Sequence, residues 1–94
     1  MARRLFIVED TFFITGHGLV PVPGIVPIDG ERFRVGDPLL LKRPDGSELR
    51  TTIGGLEILS PNPTNQVVVV LKGLTKEDVP VGTEFWSVDT NSAS

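Results

Sequence analysis

A single histidine, His17, and no cysteine stand in the 94 residues of this chain. Acid–base or nucleophilic chemistry would therefore rest on one imidazole and on carboxylates. A catalytic imidazole needs a nucleophile or an orienting carboxylate beside it. Nothing in the sequence marks one, and Gly16-His17-Gly18 reads as a turn. A metal site would also be built from carboxylates, yet Glu77-Asp78 stands where a helix start takes acids to suit the backbone dipole. Glu9-Asp10, Asp29 with Glu31, and Asp45 with Glu48 fall at turn and surface positions. No convergent constellation of the kind an active site requires is marked. We expect a non-enzymatic protein with no catalytic residues, no metal and no cofactor.

Charge offers a different chemistry. Arg32, Arg34, Lys42, Arg43 and Arg50 fall close together, and seven of the nine Lys and Arg lie at or before Arg50. On adjacent strands they would form a basic strip, whose natural partner is a phosphate backbone. A solvated face is the simpler account, because a net charge of −3 draws the whole chain onto no polyanion. RNA platforms also need exposed rings within the strip, and Phe33 sits between Arg32 and Arg34 in the opposite phase.

The elements that position these residues are short strands arranged about the stretch Gln66 to Gly82. Val67 to Leu71 is an apolar strand. Thr75 and Asp78 have the spacing of a capping box around one helical turn, with Asp in place of the usual Glu, and Pro80 stops it. That turn is expected to plug one end of the fold, with Leu74 and Val79 buried. Upstream, Leu5 to Val8 and Phe12 to Ile14 are strand-like. Gly16 to Gly18 permits a bulge or sharp bend, after which strand continues through Leu19 and Val20. Pro21, Pro23 and Pro27 place their segment at an edge, a corner or a loop, so Gly24-Ile25-Val26 is a short strand at best. Phe33 and Val35 alternate with Arg32 and Arg34. Pro44-Asp45-Gly46 turns a hairpin of Leu39 to Lys42 with Glu48 to Ile53. Gly54-Gly55 bends the second arm before Leu56 to Leu59 resumes it, Ser60 to Asn65 is a loop, and Glu84 to Val88 closes the set.

Short strands with Gly and Pro turns and no long 3.6-residue period indicate an all-β sandwich or barrel. Closure is expected, because a small chain gains by removing sheet edges. The length allows one domain over residues 1–90, followed by a mobile polar tail, 91–94. No apolar run approaches the roughly 20 residues of a membrane span. Leu5 to Val8 after Arg3-Arg4 is too short for a signal core. Absence of cysteine fits a reducing compartment, so a cytoplasmic protein is expected.

Neighbouring strand residues point to opposite faces. Phe12-Phe13 must therefore send one ring outward, Phe85-Trp86 another, and Val67 to Val70 two valines. Lying together, these residues would bind a protein partner or a second copy. Phe12, Phe13 and Trp86 are the candidate protein interface.

Four blocks carry a resemblance to a known family: Val8 to Val20, Val35-Gly36-Asp37, Gly55-Leu56-Glu57, and Leu71-Lys72-Gly73-Leu74 through Val79-Pro80-Val81-Gly82. In order and approximate spacing the chain resembles domain 2 of elongation factor Tu and related translational GTPases, here as a single domain. The resemblance implies a small closed Greek-key β-barrel of about six strands with one short helical turn. It also implies a setting in translation, with a protein or ribonucleoprotein partner, ribosome included. Glu57 matches the glutamate that the family sets against the terminal adenosine of aminoacyl-tRNA. Such a pocket would leave Glu57 open to solvent beside Gly55, with Leu19 to Gly24 as the facing wall.

The chain departs from the family in three ways. It has no Gly-x-x-x-x-Gly-Lys-Ser/Thr, so neither nucleotide cofactor nor GTPase activity is implied. Leu19 to Gly36 carries extra residues and prolines. Ser60 stands where the family has a basic residue. Three functions follow as expectations: a binding module with a protein or ribonucleoprotein partner; an accessory protein binding tRNA or rRNA through Glu57 and the Arg32 to Arg50 strip; and a mimic or decoy of elongation factor Tu.

Overall fold

Eight short strands and one 3-10 turn make up the regular structure of the computed structural model, which describes residues 3–28, 31–58 and 66–88. Asp29, Ser60 and the expected tail, 91–94, lie outside the described residues. In chain order the elements are β1 (Arg4–Ile7), β2 (Asp10–Ile14), β3 (Gly18–Val22), β4 (Pro38–Lys42), β5 (Glu48–Thr52), β6 (Gly55–Ile58), β7 (Val67–Val70), the 3-10 turn (Lys76–Asp78) and β8 (Glu84–Ser87). The chain is mostly β, as its Gly- and Pro-punctuated apolar runs require. No described helix is long and apolar enough to cross a membrane.

The strands form one four-stranded antiparallel sheet in the order β1-β8-β4-β5 and two antiparallel pairs, β2-β3 and β6-β7. The sheets are joined at two places where a strand changes partner without a turn. After β1, the Val8 amide donates to the Thr83 carbonyl at 2.9 Å, and the next amide, Glu9, donates to Val22 at 2.9 Å. After β5, the Ile53 amide donates to Asp37 at 2.9 Å and Gly54 to Val70 at 2.8 Å. The two pairs are themselves bridged. Leu19 and Leu71 exchange backbone bonds of 2.8 Å in both directions, and Ile25 and Val67 do so at 2.8 and 2.7 Å.

The core lies between these layers and includes Leu5, Phe6, Val8, Leu19, Ile25, Leu39, Leu41, Ile53, Val69, Leu71, Val79 and Phe85. A bulge in β1 sets Arg4 opposite Trp86 and Phe6 opposite Phe85, leaving Leu5 as the extra residue. Both Leu5 and Phe6 thus reach the core despite being neighbours. Phe6 then stacks on Phe85 with ring centroids 4.6 Å apart.

Several expectations are corrected. Of the turn, bulge or sharp bend read at Gly16 to Gly18, the turn is what forms: it reverses the chain into a hairpin, closed by the His17 amide on the Ile14 carbonyl at 2.9 Å. Residues 31–37 form no strand: the Arg34 amide donates to the Asp37 carboxylate and the Asp37 amide returns to the Arg34 carbonyl. Phe33 still packs on the core, but Val35, expected beside it, is exposed. The outward valines are not exposed. Val68 and Val70 retain 8% and 7% of their surface because Val20 and Val22 of the adjoining β3 cover them in a second apolar cluster. At the 3-10 turn, the Thr75 amide and hydroxyl both donate to the Asp78 carboxylate, at 2.9 and 3.2 Å. Below it Val79 is buried, and Leu74 is half-buried against the core.

One ion pair ties the N-terminal segment to the irregular connection. Arg3 Nε donates to Glu31 Oε2 at 2.6 Å, and the Ile28 amide donates to Glu31 Oε1 at 2.9 Å. The Arg3 hydrogen bond, helped by the Ile28 amide, holds the Glu31 carboxyl below its usual range. A carboxylate whose folded pKa is depressed stabilises the fold above its unfolded pKa, and that contribution is lost as pH falls through the folded pKa. The stability difference between wild type and Glu31→Gln is therefore expected near neutral pH. It should vanish as the pH falls below the ordinary carboxylate range, as read by urea unfolding across acid pH. A difference that persists at the lowest pH would show that the carboxylate charge is not its source.

Candidate interaction surface

β2 and β3 form a ribbon in which Asp10 pairs with Val22, Thr11 with Pro21, Phe12 with Val20, Phe13 with Leu19 and Ile14 with Gly18. Among the described residues no strand pairs with β2 on its other side, because the pairing of the preceding strand with β8 ends at Ile7 and Glu84. The 3-10 turn lies against β2. This geometry corrects the expectation that one phenylalanine would be covered. Phe12 and Phe13 are 51% and 59% exposed, and Ile14 beside them is 46% exposed. Phe12 faces outward with Val20, while Phe13 sits at the margin with a strand on one side only.

Among the described residues the backbone of that margin is also unpaired at one position. Both the amide and the carbonyl of Leu19 are bonded to Leu71, away from β2. In an antiparallel ladder the directly opposed residue then aims its own amide and carbonyl at the opposite edge. That residue is Phe13. The Thr11 amide, two residues back on the same strand and so aimed the same way, is closed off by the Asp10 carboxylate at 2.8 Å.

Glu57 is exposed on β6, paired with Val68, and Gly55 pairs with Val70. Beyond Val68 and Val70 lie Val20 and Val22 of β3, so the outer wall beside Glu57 is made of valines.

The five candidate basic residues are not brought into one strip. Arg32 and Arg34 are exposed in the irregular connection, since the alternation there has no neighbouring strand to pair with. Arg43 is occupied: its Nε donates to the Asp78 carbonyl at 2.8 Å and a second nitrogen lies 3.9 Å from the Asp78 carboxylate, pinning the 3-10 turn to the β4-β5 hairpin. Lys42 and Arg50 share the outer face of that hairpin, but Lys42 pairs with both Glu48 and Glu84, which interrupt the positive charge.

Trp86, grouped above with Phe12 and Phe13, lies on the other sheet. β8 places it between Arg4 of β1 and Leu40 of β4, with Arg50 beyond Leu40. It is half-buried: the Lys42 ammonium stands 4.3 Å from its ring centroid and its Nε1 donates to Glu84 at 2.9 Å. Sequence reasoning missed this row because it depends on β8 entering between β1 and β4. It also missed Ile14, whose exposure follows from its place at the mouth of the hairpin turn.

Among the described residues no group of three or more His, Cys, Asp or Glu side chains could hold a metal ion. His17 is exposed at the hairpin tip. No protein-family model, no curated protein and no solved structure matches this chain.

Proposed function

We propose that this chain is a non-enzymatic binding module, a closed Greek-key barrel of the elongation factor Tu domain 2 kind, which engages a protein or ribonucleoprotein partner in translation. Closure is supported by the two partner changes: counting β1 with β2 and β5 with β6 as single bent strands leaves six strands, each with a neighbour on both sides. The binding reading is carried by one observation, the exposure of Phe12, Phe13 and Ile14 on a hairpin anchored through Leu19 and Val20. Contiguous exposed apolar side chains of this kind mark interaction sites. Co-sedimentation with purified ribosomes tests it. Binding that survives a rise in salt and is lost in Phe12→Ser/Phe13→Ser is expected, whereas wild type that stays in the supernatant removes the translation setting.

RNA binding is the second reading, favoured by the row Arg4, Trp86, Leu40, Arg50 with Lys42 over the ring, which gathers cations about an aromatic side chain. Filter binding with tRNA at two salt concentrations separates the readings, because phosphate contacts weaken steeply with salt. Under the first reading Glu57→Ala leaves any RNA affinity unchanged. A tenfold loss, about 1.4 kcal/mol, would instead favour an RNA end held at Glu57.

A further inference from the structure

We infer that Asp45-Gly46, at the tip of the β4-β5 hairpin, is a site of spontaneous isoaspartate formation, and that Ser47 holds it in check. The reaction is intrinsic to the dipeptide. The Gly46 backbone nitrogen attacks the Asp45 side-chain carboxyl carbon, gives up its proton and expels the carboxyl hydroxyl as water, which closes a five-membered succinimide. Water then adds at one of the two imide carbonyls. Opening at the side-chain carbonyl restores aspartate, whereas opening at the main-chain carbonyl leaves isoaspartate, with the chain running through the side-chain carbon and the former main-chain carbonyl a free carboxylate. One water leaves and one returns, so no other reactant is needed. Glycine permits the attack because no Cβ crowds the nitrogen, and beyond the adjacent residues nothing stands within 4 Å of where a Cβ at Gly46 would lie.

In the folded turn both reacting groups are engaged. The Gly46 amide donates to the Arg43 carbonyl at 3.0 Å, while Asp45 Oδ1 accepts from the Ser47 amide at 2.9 Å and from the Ser47 hydroxyl at 2.6 Å. Attack requires the carboxyl to turn from Ser47 onto the Gly46 nitrogen, so both sets of bonds must open first. The hydroxyl and amide of Ser47 also hold the Asp45 carboxyl below its usual range. It stays ionised near neutral pH, and a carboxylate is a poorer target for a nitrogen nucleophile than a carboxylic acid. Ser47 is itself steadied, since an Arg43 guanidinium nitrogen donates to its hydroxyl at 3.3 Å. The consequence of isomerisation reaches past the turn. An isoaspartyl link adds one carbon to the main chain between Arg43 and Ser47, where the Arg43 amide donates to the Ser47 carbonyl at 2.8 Å to close the hairpin. Arg43 also donates through Nε to the Asp78 carbonyl, so its displacement loosens the hold on the 3-10 turn.

Incubation of the purified protein at neutral pH, with and without denaturing urea, followed by tryptic mapping tests this. Isoaspartate is read by methyl transfer from S-adenosylmethionine with an isoaspartyl methyltransferase, and placed by the tryptic peptide 43–50, which excludes the other Asp-Gly of the sequence, Asp29-Gly30. The wild type should convert at Asp45 in urea and several-fold more slowly when folded. Ser47→Ala, shown folded by circular dichroism, should convert about tenfold faster than folded wild type, the effect of losing one hydrogen bond to a charged group. Ser47→Thr, which keeps the hydroxyl, should stay near the wild-type rate, and in urea all three should convert alike. Asp45→Glu, whose imide ring would need six members, should give no product in this peptide. Three results overturn the inference: no isoaspartate in peptide 43–50 even in urea, a wild type that converts as fast folded as unfolded, or a folded Ser47→Ala no faster than wild type. The comparison of folded with unfolded wild type decides the matter even where Ser47→Ala does not fold.

Discussion

Phe85→Ala lowers the unfolding free energy by about 3 to 5 kcal/mol, the range for an aromatic removed from a core. Phe85 has no exposed surface and stacks on Phe6. It sits on β8, the strand that joins β1 to β4, directly opposite Phe6 on one side and Leu41 on the other. A strand held by hydrogen bonds on both edges cannot move in to fill the space, so most of the cavity persists. Domains of this size are stable by only about 5 to 15 kcal/mol, which makes the loss a large fraction of the whole. Denaturant unfolding measures it, with Phe85→Leu as a partial filling that recovers part of the loss. A fall below about 1 kcal/mol would mean that the core collapses around the site.

Gly18→Ala is expected to cost about 3 kcal/mol or more, against about 1 kcal/mol for Gly16→Ala two residues away. Both glycines have positive φ, +135° at Gly18 and +85° at Gly16. Their surroundings differ. A Cβ at Gly16 meets nothing within 4 Å, whereas one at Gly18 would lie 2.4 Å from the Leu71 carbonyl oxygen. That oxygen accepts the Leu19 amide, so relieving the clash means parting the bridge that joins β3 to the strand ending at Val70. Equal losses at the two positions would show that the strands separate freely there.

Local chemistry made some of this legible. Pro44-Asp45-Gly46 sets a turn in which the Gly46 amide returns to Arg43 and the Asp45 carboxylate takes the Ser47 amide. The hairpin and its register of Leu41 opposite Leu49 follow. Gly54 marks a bend for a reason of space, since a Cβ there would stand 3.1 Å from the Val70 carbonyl oxygen. The hairpin at Gly16 to Gly18 was harder to read, because Gly-His-Gly suits a bulge as well as a reversal, and only the pairing of Phe13 with Leu19 decides between them. Alternation at Phe33 and Val35 misled because alternation specifies a strand only where another strand is there to pair. What gathers at the surface was least legible. Val68 is covered by Val20, and Trp86 comes to lie between Arg4 and Leu40, through contacts between residues far apart in the chain.

The pairing of β1 with β8 also sets the order in which this chain becomes a protein. The Arg3 amide donates to the Ser87 hydroxyl and the Ser87 amide to the Arg3 carbonyl, each at 2.9 Å, across 84 residues of sequence. Closing so long a loop costs only modestly more entropy than closing a short one, but non-local pairing slows folding. The ribbons β2-β3 and β4-β5 each close on neighbours and can form as soon as they are made. β1 cannot, since its partner is the last of the described strands to leave the ribosome. Until then Leu5 and Phe6 are without the β8 side chains that bury them, and a nascent chain with bare apolar strands of this kind is open to chaperones and to premature association. β1 comes to rest only once β8, about 80 residues later, has been made.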